Sequence, residues 1–219
     1  IVDTILGSNS HITLYKTLTK DQYGNIDRGF EDYNDVASNL LSLPGVKRSA
    51  PLIRSQIMAT YDTRNIGLEV FGISYENLLG LKRIANPEEY SGDIHDFENG
   101  IAIGSGVARE LGVQVGDKIK LISPNGVRTA FGMSPRVKQF KIVYIFTAGR
   151  YDIDRTRSYL PFSIAQEYFN REGLADEIKV LLDDPSNLTQ AISHIENIVG
   201  PDIQLWTWRD ASSSFLKAL

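Results

Sequence analysis

The chain has 219 residues, 42% hydrophobic and 23% charged, with 27 acidic against 23 basic side chains and a formal charge of −4. This is the composition of a globular chain with a substantial core, and its acidic balance argues against a nucleic-acid binder. With no cysteine, disulfides, thiolate metal sites and a thiol nucleophile are excluded, and no apolar run reaches the roughly 18–20 residues that span a bilayer.

In chain order, "IVDTILG" reads as the tail of a helix stopped at Gly7, and "HITLYK" (11–16) as a strand with Ile12 and Leu14 on one face. Residues 20–29 read as a turn. Residues 30–43 read as a helix with the apolar stripe Tyr33, Val36, Ala37, Leu40 and Leu41, ended by "LPG". "APLIRSQIMATY" and "NIGLEVFGIS" read as two strands joined by a turn at 62–65, and 74–99 as mostly irregular with a helical turn near 75–79. A short strand at 100–103 leads into a helix at 105–111, with Ser105 as its cap and Gly112 as its left-handed stop. "DKIKLIS" and "QFKIVYIF" read as strands separated by a long insertion, 124–138. "RSYLPF" is a further strand. Ser163 to Gln166 reads as a capping box opening a helix to about Phe169, and "EIKVLL" as a strand. A helix from Asn187 buries Leu188, Ala191, Ile192, Ile195 and Ile198 before Gly200-Pro201, and "IQLWTW" is the last strand, with Trp206 and Trp208 on a core face. "WRDASSSFLKAL" reads as the start of a helix capped by Asp210, so both ends read as cut from a longer protein. The mixture of elements with several antiparallel connections predicts an α+β fold. Lobe boundaries fall near 72–75 and 174–176.

Catalytic readings fail one by one. Gly104-Ser105-Gly106 lies where a nucleotide loop would, but position 109 of the G-x-G-x-x-G pattern is Arg and the helix is too short for a crossover. His11, His95 and His194 are far apart in sequence. Asp93, His95, Asp96 and Glu98 read as a solvated acidic loop, and Asp152 with Asp154 as a turn. Ser212 to Ser214 have no neighbouring base. No metal or cofactor is expected.

One feature stands above this background. Lys118, Lys120, Arg128, Arg136, Lys138, Lys141 and Arg150 fall in a span with no acidic residue, leaving all 27 Asp and Glu to the rest of the chain. Within it, "NGVRTAFGMSPRVKQF" carries Phe131 and Met133 between cations. Taken as a loop, 124–138 is far longer than the roughly two to five residues usual for a hairpin, and long loops of this kind are commonly functional. An apolar tip flanked by cations suits docking into an apolar concavity with an acidic rim.

"GIAIGSGVARELGVQVGDKIKLISP", with Gly104, Ala108, Leu111, Gly112, Gly116 and Asp117 at the matching positions, resembles a segment shared by the extracytoplasmic domains of LolC/LolE-type lipoprotein-releasing ABC transporter membrane subunits and their MacB-like relatives. "LPGVKRSAP" and "FGIS" resemble further positions of that family, and the two ends resemble the exit from one membrane helix and the approach to the next. The resemblance implies a periplasmic domain at the inner membrane of bacteria, with no enzymatic activity of its own and ATP hydrolysis on a separate cytoplasmic subunit. It implies two lobes: a discontinuous βαβ-type lobe, 1–73 with 177–219, and an inserted, mostly β lobe, 74–176, carrying a protruding hairpin. The implied function is lipoprotein release and transfer to a soluble LolA-like periplasmic chaperone, alongside a second membrane subunit. The implied hook is Arg128, Thr129, Ala130, Phe131, Gly132, Met133, Ser134 and Pro135; the implied pad is Lys120, Arg136, Val137 and Lys138. Gly132 and Pro135 match the family's hook; Ala130 replaces a common proline and Val137 a common glutamine. The alternative implied role is that of a MacB-like efflux or mechanotransmission domain binding a periplasmic adaptor.

Overall fold

The computed structural model describes residues 10–17, 19–20, 26–27 and 29–210, so the helical reading of 1–7 and that of 211–219 lie outside the described residues. Residues 208–210 are helical, but Asp210 is not the cap: the Thr207 hydroxyl accepts from the Asp210 amide (3.4 Å) and the Asp210 carboxylate accepts from the Thr207 amide (2.8 Å). The described strands are β1 (Ile12–Lys16), β2 (Thr19–Lys20), β3 (Ile26–Asp27), β4 (Val46–Tyr61), β5 (Arg64–Ile73), β6 (Glu89–Gly92), β7 (Ile101–Gly104), β8 (Lys118–Thr129), β9 (Gly132–Thr147), β10 (Arg157–Pro161), β11 (Glu177–Leu182) and β12 (Ile203–Thr207). The described helices are α1 (Tyr33–Leu41), α2 (Tyr75–Leu79), α3 (Lys82–Ala85), α4 (Ser105–Leu111), α5 (Tyr151–Asp154), α6 (Phe162–Tyr168) and α7 (Leu188–Glu196), with a 3-10 turn at Ile94–Asn99. The α+β class expected from the sequence holds. The chain forms two compact units, Ile1–Leu52 with Gly173–Leu219, and Ile53–Glu172. The sequence-based boundaries near 72–75 and 174–176 differ chiefly in leaving β5 and the second half of β4 with the first unit.

In the first unit, β12, β1, β11 and the start of β4 pair antiparallel in that order. Ile12, Leu14, Ile178, Val180 and Leu182 alternate onto one face, where they pack with Leu40 of α1 and Leu188, Ala191 and Ile195 of α7. Burial of this face is what holds the short helices in place, since helices of this length are marginal alone. Two sequence expectations fail here. Ile198 is exposed, because α7 ends at Glu196. Trp206 is also exposed: it pairs with Thr13 on the face away from the helices, while Trp208 lies beyond the strand and packs against the core.

In the second unit the pairing closes on itself. β4 pairs with β5, β5 with β10, β10 with β7, β7 with β9, β9 with β8, and β8 with β4. β6 adds to the far end of β9. Closing a sheet leaves no open edge and puts alternate residues inside. Ile57, Ala59, Leu68, Val70, Ile101, Ile103, Ile119, Leu121, Phe140 and Ile142 belong to the resulting core, together with Val107 and Leu111 of α4 and Ala165 and Tyr168 of α6.

The glycines of Gly104-Ser105-Gly106 are packing residues. A Cβ on Gly104 would sit 2.3 Å from the carbonyl oxygen of Asp154, and one on Gly106 would sit 2.8 Å from that same oxygen. Gly104, rather than the expected Ser105, is the cap residue of α4, and no side chain caps the helix; Gly112 is left-handed as expected (φ 68°). Similarly, α6 starts at Phe162 directly after β10, with Pro161 at its cap position and no side-chain cap, so Ser163 is inside the helix and makes no cap.

Candidate docking surface

The region expected to be a long insertion is a continuous hairpin. β8 and β9 stay paired from Lys118↔Lys141 up to Thr129↔Gly132, leaving only a tight turn at Ala130–Phe131. The loop reading fails because the residues that suggest a loop are absorbed by a bulge. Between Ser123 and Val127 the register shifts, so Pro124, Asn125 and Gly126 oppose the stretch around Pro135. Pro135 therefore sits where ladder bonds are already interrupted. Gly126 is required there, since a Cβ would lie 1.5 Å from the Ser134 carbonyl oxygen. At the tip, the Thr129 hydroxyl donates to the Gly132 carbonyl (2.8 Å) and accepts from the Phe131 amide (3.3 Å). Gly132, at φ 116°, occupies backbone space that favours glycine.

The base of the hairpin is fastened to α6. Arg136 Nη1 donates to the carbonyls of Glu167 (2.7 Å) and Tyr168 (3.2 Å), which lie at the carbonyl end of that helix, where a cation is favoured. The Tyr168 hydroxyl reaches back to the carbonyls of Leu121 (2.8 Å) and Arg136 (3.0 Å). Burial pushes its pKa up to about 12, against the weaker opposing pull of a hydrogen bond with the Ser123 backbone and of the Arg136 charge. Its ring meets Phe140 edge-on at 5.6 Å, and the Lys138 ammonium lies 5.4 Å from the Phe140 ring centroid.

Strand alternation then sorts the residues singled out in the sequence. Arg136, Lys138 and Phe140 share the face that continues into the core. Met133, Pro135, Val137 and Gln139 share the other face, and all are exposed. Lys120 pairs with Gln139 on this second face. Thus Lys120 and Val137 stand together, while Arg136 and Lys138 lie on the opposite side, Arg136 already engaged with α6. Phe131 is fully exposed at the tip, with Met133 (55%) and Val137 (53%) half-exposed. Thr129, Ala130, Gly132 and Ser134 are exposed as well. Arg128 pairs through its backbone with Met133; its side chain is outside the described set. Met58, which the sequence reading did not single out, lies in register with Ile122 and so with Val137.

The remaining candidates do not converge. The Asp93 carboxylate accepts from the His95 amide (2.9 Å) and stands 2.7 Å from its ring. The amide bond first, and the ring second, hold its pKa below the usual carboxylate value; the pair is a solvated turn. Asp154 is buried and accepts from the amides of Ala148 and Gly149. No cluster of metal-ligating side chains occurs among the described residues. Nor does any helix among them have the length and apolarity to cross a membrane.

A closed β unit with an anchored, apolar-tipped hairpin lies, in chain order, between the two segments of an α+β unit. The family model of the MacB-like periplasmic core domain matches residues 3–198, and the chain belongs to that family. It is 26% identical over 168 residues to the lipoprotein-releasing system transmembrane protein LolC of Neisseria meningitidis serogroup B, a match covering 76% of this chain. The chain spans only 40% of the length of that relative. Its fold is similar to that of the periplasmic region of MacB from Actinobacillus actinomycetemcomitans, with a TM-score of 0.55 at 11% identity over 99% of this chain and 96% of that one. It is also similar to the extracellular domain of the noncanonic ABC-type transporter YknZ from Gram-positive bacteria, with a TM-score of 0.53 at 13% identity over 91% of this chain and all of that one.

Proposed function

We propose that this chain is the periplasmic domain of an inner-membrane ABC transporter subunit of the lipoprotein-releasing kind, and that its hairpin docks a soluble lipoprotein carrier. The role is one of binding and hand-over; ATP hydrolysis belongs to a separate cytoplasmic subunit, and a second membrane subunit completes the transporter. The LolC relative supports the transporter class. The observation that carries the docking reading is Phe131, fully exposed at the end of a hairpin whose base is fixed by Arg136 and Tyr168. A solvent-exposed aromatic on a rigid support costs little ordering entropy when it enters a partner's pocket, which is how interface anchors work. The hook is Arg128 to Pro135, with Lys120 and Val137 at its foot; Arg136 and Lys138 support it from the other face.

Calorimetric titration of the chain with the purified lipoprotein carrier of the same cell tests this reading, with a periplasmic efflux adaptor titrated in parallel. Saturable binding of the carrier, lost on Phe131→Glu with the melting temperature kept, is the expected result. Binding of the adaptor alone would assign the domain to efflux instead.

A further inference from the structure

β6 is the last strand of its sheet. It pairs with β9, from Glu89↔Thr147 to Gly92↔Tyr144, and borders no other strand. All four of its residues are exposed. The main-chain N–H and C=O groups of its outer edge therefore face water, an arrangement that accepts a further strand. The strand is short but held firmly. Gly92, at φ 80°, lies so close to β9 that a Cβ there would collide with the Val143 carbonyl oxygen. Tyr90 is 63% exposed, and its ring lies 6.1 Å from that of Tyr144. Tyr144 is buried, and its hydroxyl donates to the Ile84 carbonyl (2.6 Å), so Tyr90 rests on a fixed support.

The charge around this edge has one sign. From Pro87 to Asn99 the sequence carries Glu88, Glu89, Asp93, Asp96 and Glu98 and no lysine or arginine. All five carboxylates belong to exposed residues. Asp93 is engaged with His95, while Glu88, Glu89, Asp96 and Glu98 have no side-chain hydrogen-bond or ion-pair partner among the described residues. Carboxylates gathered around an open edge repel an acidic strand and lose water to an apolar one, whereas a cationic strand neutralises them.

We propose that β6 is a docking edge that takes up an extended, lysine- or arginine-rich segment of a partner protein as one more strand of the sheet. Main-chain hydrogen bonds to the outer edge supply the affinity; the carboxylates and the Tyr90 ring select the segment. The negative charge rules out an anionic lipid surface or a nucleic acid as the occupant. Neither the β8–β9 hairpin nor its foot takes part, so this edge stands or falls independently of carrier docking.

The test is titration of this chain with a capped peptide of alternating lysine and valine, followed by backbone NMR. Binding should shift the amides of residues 88–98 and of 144–147, and should protect β6 from amide exchange. The same peptide N-methylated at alternate residues keeps its charge but cannot complete a ladder, and should bind at least about tenfold more weakly. A glutamate–valine peptide should not bind. Tyr90→Ala should weaken the lysine–valine peptide by roughly fivefold, as loss of a cross-strand contact does, with the melting temperature kept. Glu88→Gln, Glu89→Gln and Asp96→Asn together should weaken it by more than about tenfold and flatten its salt dependence. Both variants should bind the lipoprotein carrier as the unaltered chain does. Equal binding of the N-methylated peptide, or shifts spread over the acidic surface at large, would mean attraction by charge without strand pairing and would overturn the docking edge. No binding of the lysine–valine peptide, or unchanged binding by the Tyr90 and carboxylate variants, overturns it too, with the carrier reading intact. Dimers of the unaltered chain that are lost on Tyr90→Ala would put a second copy at β6 in place of a basic partner.

Discussion

Phe131 and Phe140 belong to the same hairpin and are the same residue type, so their truncation separates docking energy from folding energy. Phe131 has no burial to lose on the free chain, and Phe131→Ala should leave the melting temperature within a degree or so of the original. Phe140 is only 7% exposed and packs on Tyr168 inside the barrel, so Phe140→Ala should cost about 3–5 kcal/mol of stability. For partner binding the order reverses. Covering a phenylalanine side chain that was fully exposed is worth about 1.5–3 kcal/mol, which corresponds to a roughly ten- to hundredfold weaker complex when it is removed. Thermal unfolding followed by circular dichroism and calorimetric titration with the carrier measure the two quantities on the same samples. A large drop in melting temperature for Phe131→Ala would refute the reasoning, because it would mean that the ring is packed on its own lobe in solution.

Gly126→Ala should open the upper hairpin, since its methyl group collides with the Ser134 carbonyl; loss of amide-exchange protection above the bulge, with the barrel unaffected, is the expected pattern. Gly104→Ala should lower the melting temperature through overpacking against Asp154, on the order of 1–3 kcal/mol, and added nucleotide should not restore it. Tyr168→Phe leaves the carbonyls of Leu121 and Arg136 short of a donor and should cost about 1–2 kcal/mol at neutral pH. The tyrosines also set an alkaline limit. Burial raises Tyr168 and Tyr144 to about 12 in the fold, against 10 for the free side chain. Their neutral forms stabilise the fold fully below pH 10, and that contribution is lost as the pH rises towards 12. Melting temperatures recorded across that window should fall, and fall less steeply in Tyr168→Phe.

Much of the fold was legible because single-face burial leaves a periodic trace. The alternation of Ile12 with Leu14, and the spacing of Leu188, Ala191 and Ile195, predict their elements and their buried faces. The cationic span was legible from composition alone. What was not legible depended on partners distant in sequence. Residues 124–138 carry two prolines and two glycines and read as a loop, yet the bulge at Pro124–Gly126 absorbs the breaks and lets the ladder continue to the tip. Trp206 alternates as expected, but which face is buried is decided by where α1 and α7 pack, and Trp206 takes the other one. Arg136 reads as a surface cation until α6 brings the Glu167 and Tyr168 carbonyls to it. Met58 leaves no signal in a strand of mixed residues; only the register with Ile122 and Val137 gives it a place.

The central claim, that the exposed end of the β8–β9 hairpin is a grip for a soluble carrier, is tested most directly in cells. A photoreactive amino acid at position 131 of the protein as it is expressed in its own cells, irradiated during growth, should give one dominant adduct whose mass spectrum identifies the lipoprotein carrier. Adducts confined to the protein itself, or to an efflux adaptor, would contradict it.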